Sequence, residues 1–163
     1  MVHFRHIGLL TGFLLVSFLV CGQNRQVPSV SEILSIIQKG ELKKMVFLVD
    51  SLDYEVADSS ISPSGSLSYI SQEKYLAGPT IFGCWTNAKK QIQGISLTVR
   101  QKPVYEKLLI EMGKLGYISI GKPSNGPGEG EMSQDYEKGK MLISVSVKKS
   151  IIGMNYEFTF IKM

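Results

Sequence analysis

Acidic side chains form the densest clusters of potentially reactive groups in this sequence. Asp53, Glu55 and Asp58 lie close together in the chain. A second cluster consists of Glu129, Glu131, Asp135 and Glu137. Paired carboxyl groups can do acid–base catalysis when their surroundings separate their pKa values, and carboxylate oxygens also bind Ca²⁺, but neither cluster has the spacing of a calcium loop. Solvated charges are the favoured interpretation, and a hydrolase or lyase that uses carboxylates alone is the alternative.

Histidine and cysteine, the usual partners in nucleophilic catalysis and metal binding, are almost absent. His3 and His6 are the only histidines, and both fall in a segment that is predicted below to be removed. Without that segment the chain has no histidine and, apart from Cys21, one cysteine, so it cannot form a Ser-His-Asp triad or the usual zinc site of histidine and cysteine ligands. Cys84 stands in the apolar stretch Ile81–Trp85, which predicts a buried and inert thiol. We therefore expect no metal ion, no cofactor and no internal disulfide.

One stretch matches most of a phosphate-binding loop. Gly116–Lys122 has the first seven residues of that motif, but Pro123 stands where a Ser or Thr would reach the magnesium ion. The motif should also link a strand to a following helix, whereas this stretch follows a predicted helix. We interpret the match as accidental.

The charge pattern argues against a nucleic-acid partner. The chain has 18 basic and 14 acidic residues, for a net charge of +4. Nearly all the basic residues are lysines, and they are spread along the sequence rather than clustered. Nucleic-acid binding proteins typically combine a basic patch with clustered arginines or aromatic platforms.

The first 22 residues are predicted to be a secretory signal peptide. Arg5 supplies a positive end, and Ile7–Cys21 contains no charged residue. That run is long enough for a signal sequence but short for a bilayer span, which needs about 20 apolar residues. Cleavage before Gln23 is the first interpretation, and it places residues 23–163 in the periplasm or outside the cell. The alternatives are lipidation at Cys21, which would tether a lipoprotein to the membrane, and an uncleaved anchor.

The rest of the chain is predicted to be one α+β domain that contains an internal repeat. An offset of 63 residues aligns apolar and aromatic positions in two units, about 28–101 and 102–163. The clearest aligned pairs are Met45 with Leu108, Val49 with Met112, and Tyr54 with Tyr117. We expect two related helix-then-antiparallel-strand units that form a sheet with helices packed on one face.

Periodicity and capping residues predict the elements. Ser29 and Glu32 form a possible capping box, Gly40 ends the first helix, and a second helix covers about Glu41–Leu52. Pro103 opens a helix with one buried stripe, and Gly116 closes it. Strands with alternating apolar residues are expected near 54–57, 66–70, 80–86, 95–99, 117–120, 132–136, 141–148 and 156–160.

The absence of catalytic motifs favours an exported, non-enzymatic binding domain. Its partner would be a protein or a small ligand of the cell envelope, and contact with a membrane would come only through Cys21 lipidation or an uncleaved signal. The loops Ser59–Ser66 and Lys122–Glu131, or a face of the sheet, would meet the partner. Trp85 is the candidate aromatic contact, and the interaction surface would include Asp53, Glu55 and Asp58.

Overall fold

The computed structural model describes residues 27–52, 54–58, 67–71, 81–126, 130–151 and 153–163, with the backbone alone for 55–58 and 67–71. These residues form three α-helices: α1 (Val30–Lys39), α2 (Leu42–Ser51) and α3 (Lys102–Lys114). They also form eight strands: β1 (Tyr54–Asp58), β2 (Leu67–Ser71), β3 (Ile81–Thr86), β4 (Ile92–Val99), β5 (Ile118–Asn125), β6 (Met132–Lys138), β7 (Met141–Ser150) and β8 (Gly153–Lys162).

All eight strands belong to one antiparallel sheet in the order β1-β2-β3-β4-β8-β7-β6-β5. Within β1–β4, and again within β5–β8, strands that are consecutive in the chain are also neighbours in the sheet. The two groups join where β4 pairs with β8. Ser96 and Thr159 are partners near the middle of that pairing. The predicted α+β class and antiparallel sheet are therefore confirmed.

Local signals in the sequence explain where the first helix begins and ends. The Ser29 hydroxyl accepts a hydrogen bond from the Glu32 backbone N–H, and the Glu32 carboxylate accepts one from the Ser29 N–H at 2.9 Å. This capping box satisfies donors that a helix start leaves unpaired. Gly40 then takes the left-handed conformation, with φ of 65°, and its N–H binds the last carbonyls of α1.

Local signals also mark both ends of the third helix, but its buried stripe is narrower than that of α1. Pro103 lies in its first turn, where a missing N–H has no consequence. Leu108 and Met112 are buried, one turn apart. Gly116 closes the segment with a φ of 80°, and Lys138 donates from Nζ to the nearby Leu115 carbonyl.

The core is a single cluster that joins the helices to the sheet. From α1 it contains Val30, Ile33 and Ile37, each fully buried. From the sheet it contains Phe82, Cys84, Ile95, Leu97, Val99, Ile143, Val145, Tyr156, Phe158 and Phe160. Cys84 is 2% exposed, which agrees with the predicted buried thiol.

One expected loop is partly a strand. The sequence predicts an irregular loop over Lys122–Glu131, but β5 continues to Asn125, and the Ser124 and Ser133 backbones are paired. The register shifts between Ile120 and Ser124, where Gly121 has a φ of 69°. A left-handed glycine lets an edge strand bulge and then resume its pairing. The other expected loop, Ser59–Ser66, lies outside the described residues.

Candidate functional site

The face of the sheet that turns away from the core is the candidate site, and we call it the outer face. Residues that pair across antiparallel strands share a face, and successive residues alternate between faces. Phe82, Leu97, Phe158 and Val145 pair in succession and are all buried, so they define the inner face. The residues between them define the outer face on β3, β4, β8, β7 and β6.

An apolar row crosses the outer face. Trp85 pairs with Gly94, Gly94 with Ile161, and Ile161 with Leu142. Trp85, Ile161 and Leu142 remain partly exposed, although each is a large apolar residue. Four adjacent strands thus present one continuous apolar strip to their surroundings.

The indole of Trp85 lies against the backbone of Gly94. A Cβ atom at residue 94 would overlap the ring atoms Cζ2 and Cη2 of Trp85, so only glycine leaves room for the ring. Gly94 is itself buried under the indole. A glycine inside a strand often marks a close approach of this kind. The aromatic ring thus lies directly against the sheet at Gly94.

Small hydroxyl side chains form the next row of the outer face. Ser96 pairs with Thr159, and Thr159 with Ser144. The row ends at Asp135, which pairs with Ser144. These side chains are short, so the row projects only a little from the sheet. The register places it directly beside the apolar row. It offers hydroxyl donors and acceptors next to an apolar strip.

Charged groups border the hydroxyl row. The Nζ atom of Lys148 donates to Oε2 of Glu157 at 2.9 Å, in a partly exposed ion pair. Asp135 and Glu137 add negative charge on β6, where they partner Ser144 and Leu142. The described part of the outer face therefore carries more negative than positive charge.

One polar atom at this border lacks a partner among the described residues. Asn155 pairs with Lys148 in the β7–β8 register, and its side-chain Oδ1 is buried without a hydrogen bond. An unsatisfied buried acceptor is destabilising by about 1–3 kcal/mol. Asn155 lies at the end of the outer face, beside the Lys148–Glu157 ion pair.

The chemistry of the described residues gives no sign of a metal centre. No group of three or more histidine, cysteine, aspartate or glutamate residues that could hold a metal ion occurs in the described ranges. Within the same ranges, no helix has the length and apolar character needed to cross a membrane.

Two tyrosines have raised pKa values, and both lie near the core rather than on the outer face. Burial is the main cause for Tyr105, followed by the neighbouring groups of Tyr136, Tyr156 and Glu106. Burial alone raises the pKa of Tyr117. The Tyr105 ring stacks on Tyr156 with 4.4 Å between ring centres, a structural contact.

Among the predicted site residues, Trp85 is the one whose side chain the structure describes. It lies on the outer face, opposite to Phe82 and Cys84, as regular alternation predicts. Asp53 and Cys21 lie outside the described residues, as do the side chains of Glu55 and Asp58. The acidic surface and the lipidation site therefore stay predictions.

The phosphate-loop match has the wrong structural context. Gly116 follows the end of α3, and Ile118–Lys122 belongs to β5. A phosphate-binding loop needs the reverse order, with a strand before the loop and a helix after it, because the helix N-terminus binds the phosphate.

Sequence reasoning missed the neighbours of Trp85. Gly94, Ile161 and Leu142 are far apart in the chain, and only the strand register brings them together. A signal was present: Leu142 and Ile161 are large apolar residues at positions that otherwise hold serine, threonine or charged side chains.

Comparison of the chain with models of protein families, with curated proteins and with solved structures gives no match.

Proposed function

We propose that this protein is an exported, non-enzymatic binding domain that docks a partner protein on its outer face. The observation that carries the proposal is the strip formed by Trp85, Ile161 and Leu142, with the indole fixed against Gly94. Tryptophan is enriched among the residues that dominate protein interfaces. A ring that is already held in place loses little conformational freedom when a partner covers it.

The arrangement around Trp85 supports a protein surface as the partner. Interfaces combine an apolar centre with a polar rim, and here the apolar row is bordered by Ser96, Thr159 and Ser144 and then by charged groups. The short hydroxyl side chains leave room for the backbone and side chains of a partner. The negative charge of Asp135 and Glu137 would favour a partner with a basic rim.

We also propose that the chain contains an internal repeat of two related units. A shift of 63 residues carries Ser96 onto Thr159, which are partners at the junction of β4 and β8. It also carries the buried residues Met45 and Val49 of α2 onto the buried Leu108 and Met112 of α3. The shift also carries Leu97 of β4 onto Phe160 of β8. Their partners do not follow it, because Leu97 pairs with Phe82 of β3 whereas Phe160 pairs with Ile143 of β7, two residues before the position that the shift predicts.

We likewise propose that all three helices cover the inner face and that the chain is exported. The single core cluster that joins α1, α2 and α3 with inner-face residues supports the first point. The uncharged run Ile7–Cys21 supports the second. Cleavage before Gln23 is the first interpretation, and lipidation at Cys21 and an uncleaved anchor are the alternatives.

A variant series in a partner-capture experiment tests the binding proposal. The full chain carries an affinity tag and is cross-linked in its native cell envelope, and the captured proteins are quantified by mass spectrometry. Trp85→Ala and Leu142→Ser should each lower the recovery of a specific partner at least about tenfold. This is the loss expected when a residue contributes about 1.4 kcal/mol or more to the binding free energy. Ile151→Ser is the matched control, since Ile151 is fully exposed in the β7–β8 turn, away from the strip.

Equal recovery with all three variants would contradict the proposal. Turnover of a substrate that is lost in Asp53→Asn, Glu55→Gln and Asp58→Asn together, with partner capture unchanged, would instead support the alternative of a carboxylate-dependent hydrolase or lyase.

A further inference from the structure

The apolar row of the outer face continues past Leu142 to the edge of the sheet. Leu142 pairs with Glu137 of β6, and Glu137 pairs with Ile118 of β5. Ile118 is 64% exposed. The full row therefore crosses six adjacent strands, from Trp85 on β3 to Ile118 on β5, and it has a large apolar residue at each end.

The middle of this row lies between Ile161 of β8 and Leu142 of β7. Three strands of the row lie on one side of that point, β3, β4 and β8, and three lie on the other, β7, β6 and β5. At about 4.8 Å between neighbouring strands, Trp85 and Ile118 are each about 12 Å from the middle. The large apolar residues are therefore spaced equally about the middle of the row.

We propose that the outer face binds the outer face of a second copy of this chain, about a two-fold axis that passes through the middle of the row and runs parallel to the strands. The rotation reverses the row, so Ile161 of one copy lies against Leu142 of the other, and Trp85 lies against Ile118. Each contact of a two-fold dimer occurs twice. Face-to-face packing of two sheets about 10 Å apart is the arrangement of β-sandwiches. The inference rests on the binding function proposed above and names the partner.

The hydroxyl row follows the same reversal. Ser96 of β4 and Asp135 of β6 lie at equal distances from the middle of the sheet, so the Ser96 hydroxyl faces the Asp135 carboxylate of the second copy. Thr159 faces Ser144 in the same way. A hydroxyl group both donates and accepts hydrogen bonds. A second copy therefore offers partners to these polar groups, which a purely apolar surface would leave unpaired.

The charges that border the row complement each other when it is reversed. Lys89 and Lys90 are exposed in the turn between β3 and β4, a few residues beyond Trp85. The rotation brings this turn to the side of the second copy where β6 carries Asp135 and Glu137. Complementary charges favour association and determine the relative position of two surfaces. The chain itself thus carries the basic rim that the acidic groups of β6 favour in a partner.

Hydrogen bonds hold both lysines on a defined turn. The side-chain Oδ1 of Asn87 accepts from the backbone N–H groups of Lys89 and Gln91, each at 3.0 Å. The backbone N–H of Lys90 donates to the Asn87 carbonyl at 2.9 Å. The ammonium groups therefore start from fixed backbone positions at the border of the outer face.

Other charged groups near the interface do not oppose this arrangement. Glu41, beside the β3–β4 turn, already binds Lys44 at 2.9 Å. Lys148 and Glu157 are paired with each other on the outer face. Lys140 of the β6–β7 turn lies near the axis in both copies, but its side chain is exposed, so the two ammonium groups can separate into solvent.

Sedimentation equilibrium over a range of concentrations tests the inference on the protein as its cells process it. We expect a dimer whose dissociation constant rises at least about tenfold in Trp85→Ala and in Ile118→Ser, because each variant removes an apolar contact twice per dimer. Ile110→Ser is the matched control. Ile110 is 59% exposed, but it lies on α3 rather than on the sheet, so the dissociation constant should not change.

A charge exchange tests the two-fold geometry itself. Glu137→Lys should weaken the dimer because it brings a third ammonium group close to Lys89 and Lys90 of the second copy. Lys89→Glu combined with Lys90→Glu should also weaken it. All three substitutions together should restore the dimer, since the opposite charges then face each other again. Circular dichroism confirms that each variant is folded.

Three results would overturn the inference. The first is a chain that stays monomeric at every concentration; capture of a different protein that still depends on Trp85 would then leave the binding function intact. The second is a dimer that is equally stable in Trp85→Ala, Ile118→Ser and Ile110→Ser, because the contact would lie elsewhere. The third is a charge exchange that fails to restore the dimer. Failure of the binding function itself has a different signature: wild type and Trp85→Ala capture every protein equally, a second tagged copy included.

Discussion

The indole of Trp85 occupies the space in which residue 94 would carry a side chain. Trp85 and Gly94 are directly paired on β3 and β4, and a Cβ atom at residue 94 would overlap the ring. The position of the aromatic ring on the outer face therefore depends on a glycine in the neighbouring strand.

Gly94→Ala should displace the indole and lower the free energy of unfolding by about 1–3 kcal/mol, as overpacking does. Trp85 is the only tryptophan, so its emission spectrum reports the displacement directly, and urea unfolding reports the stability. Gly113→Ala is the matched control. Gly113 is exposed in α3 with open space around its Cβ position, so alanine there should stabilise the helix by about 0.5–1 kcal/mol. An unchanged spectrum in Gly94→Ala would contradict the stacking.

Truncation of two neighbouring residues of β8 should lower the free energy of unfolding by very different amounts. Phe160 is fully buried on the inner face, whereas Ile161 is partly exposed on the outer face. Phe160→Ala should lower the free energy of unfolding by about 3–5 kcal/mol because it leaves a core cavity. Ile161→Ala should lower it by only about 1 kcal/mol. Similar losses for both variants, measured by urea unfolding, would show that the two faces are assigned wrongly.

Removal of the first helix cap should also destabilise the protein. Ser29→Ala deletes the hydroxyl that accepts from the Glu32 backbone, and the expected loss is about 0.5–2 kcal/mol. Gln38→Ala, at an exposed position of the same helix, should change stability by less than about 0.5 kcal/mol. Thermal unfolding followed by circular dichroism measures both, and equal stability of the two variants would argue against the capping box.

Alkaline pH should weaken the fold through its partly buried tyrosines. The pKa values of Tyr105 and Tyr117 are raised above 10.0 in the folded state. Above pH 10 the unfolded chain therefore loses these protons before the folded chain does, and stability falls as pH rises through this range. Tyr105→Phe combined with Tyr117→Phe should make the decline shallower. Urea midpoints measured from pH 8 to 11 check this, and parallel profiles for variant and wild type would contradict it.

Much of the fold could be predicted because its signals are local. The Ser29–Glu32 box and the left-handed Gly40 determine α1 through residues a few positions apart. The alternation of Ile143 and Val145 with serines identifies one face of β7 as buried. Such patterns act within a single element, so the sequence alone is enough to read them.

The candidate site could be predicted only in part, because it depends on strand register. The sequence indicates Trp85 as a possible contact, but its neighbours Ile161 and Leu142 come from the C-terminal part of the chain. Periodicity assigns a residue to a face without stating which residue lies opposite it. The bulge after Ile120 was missed for a related reason: it depends on how β5 pairs with β6.

The irregular end of β5 has a consequence for the behaviour of the protein in concentrated solution. β5 is an edge strand, and Ile118 there is 64% exposed. Open strand edges invite other chains to add on and grow into fibrils. After Ile120 the pairing is interrupted, and Pro123 has no N–H to offer an incoming strand. Only a short stretch of regular edge remains, so we expect this side of the sheet to resist polymerisation.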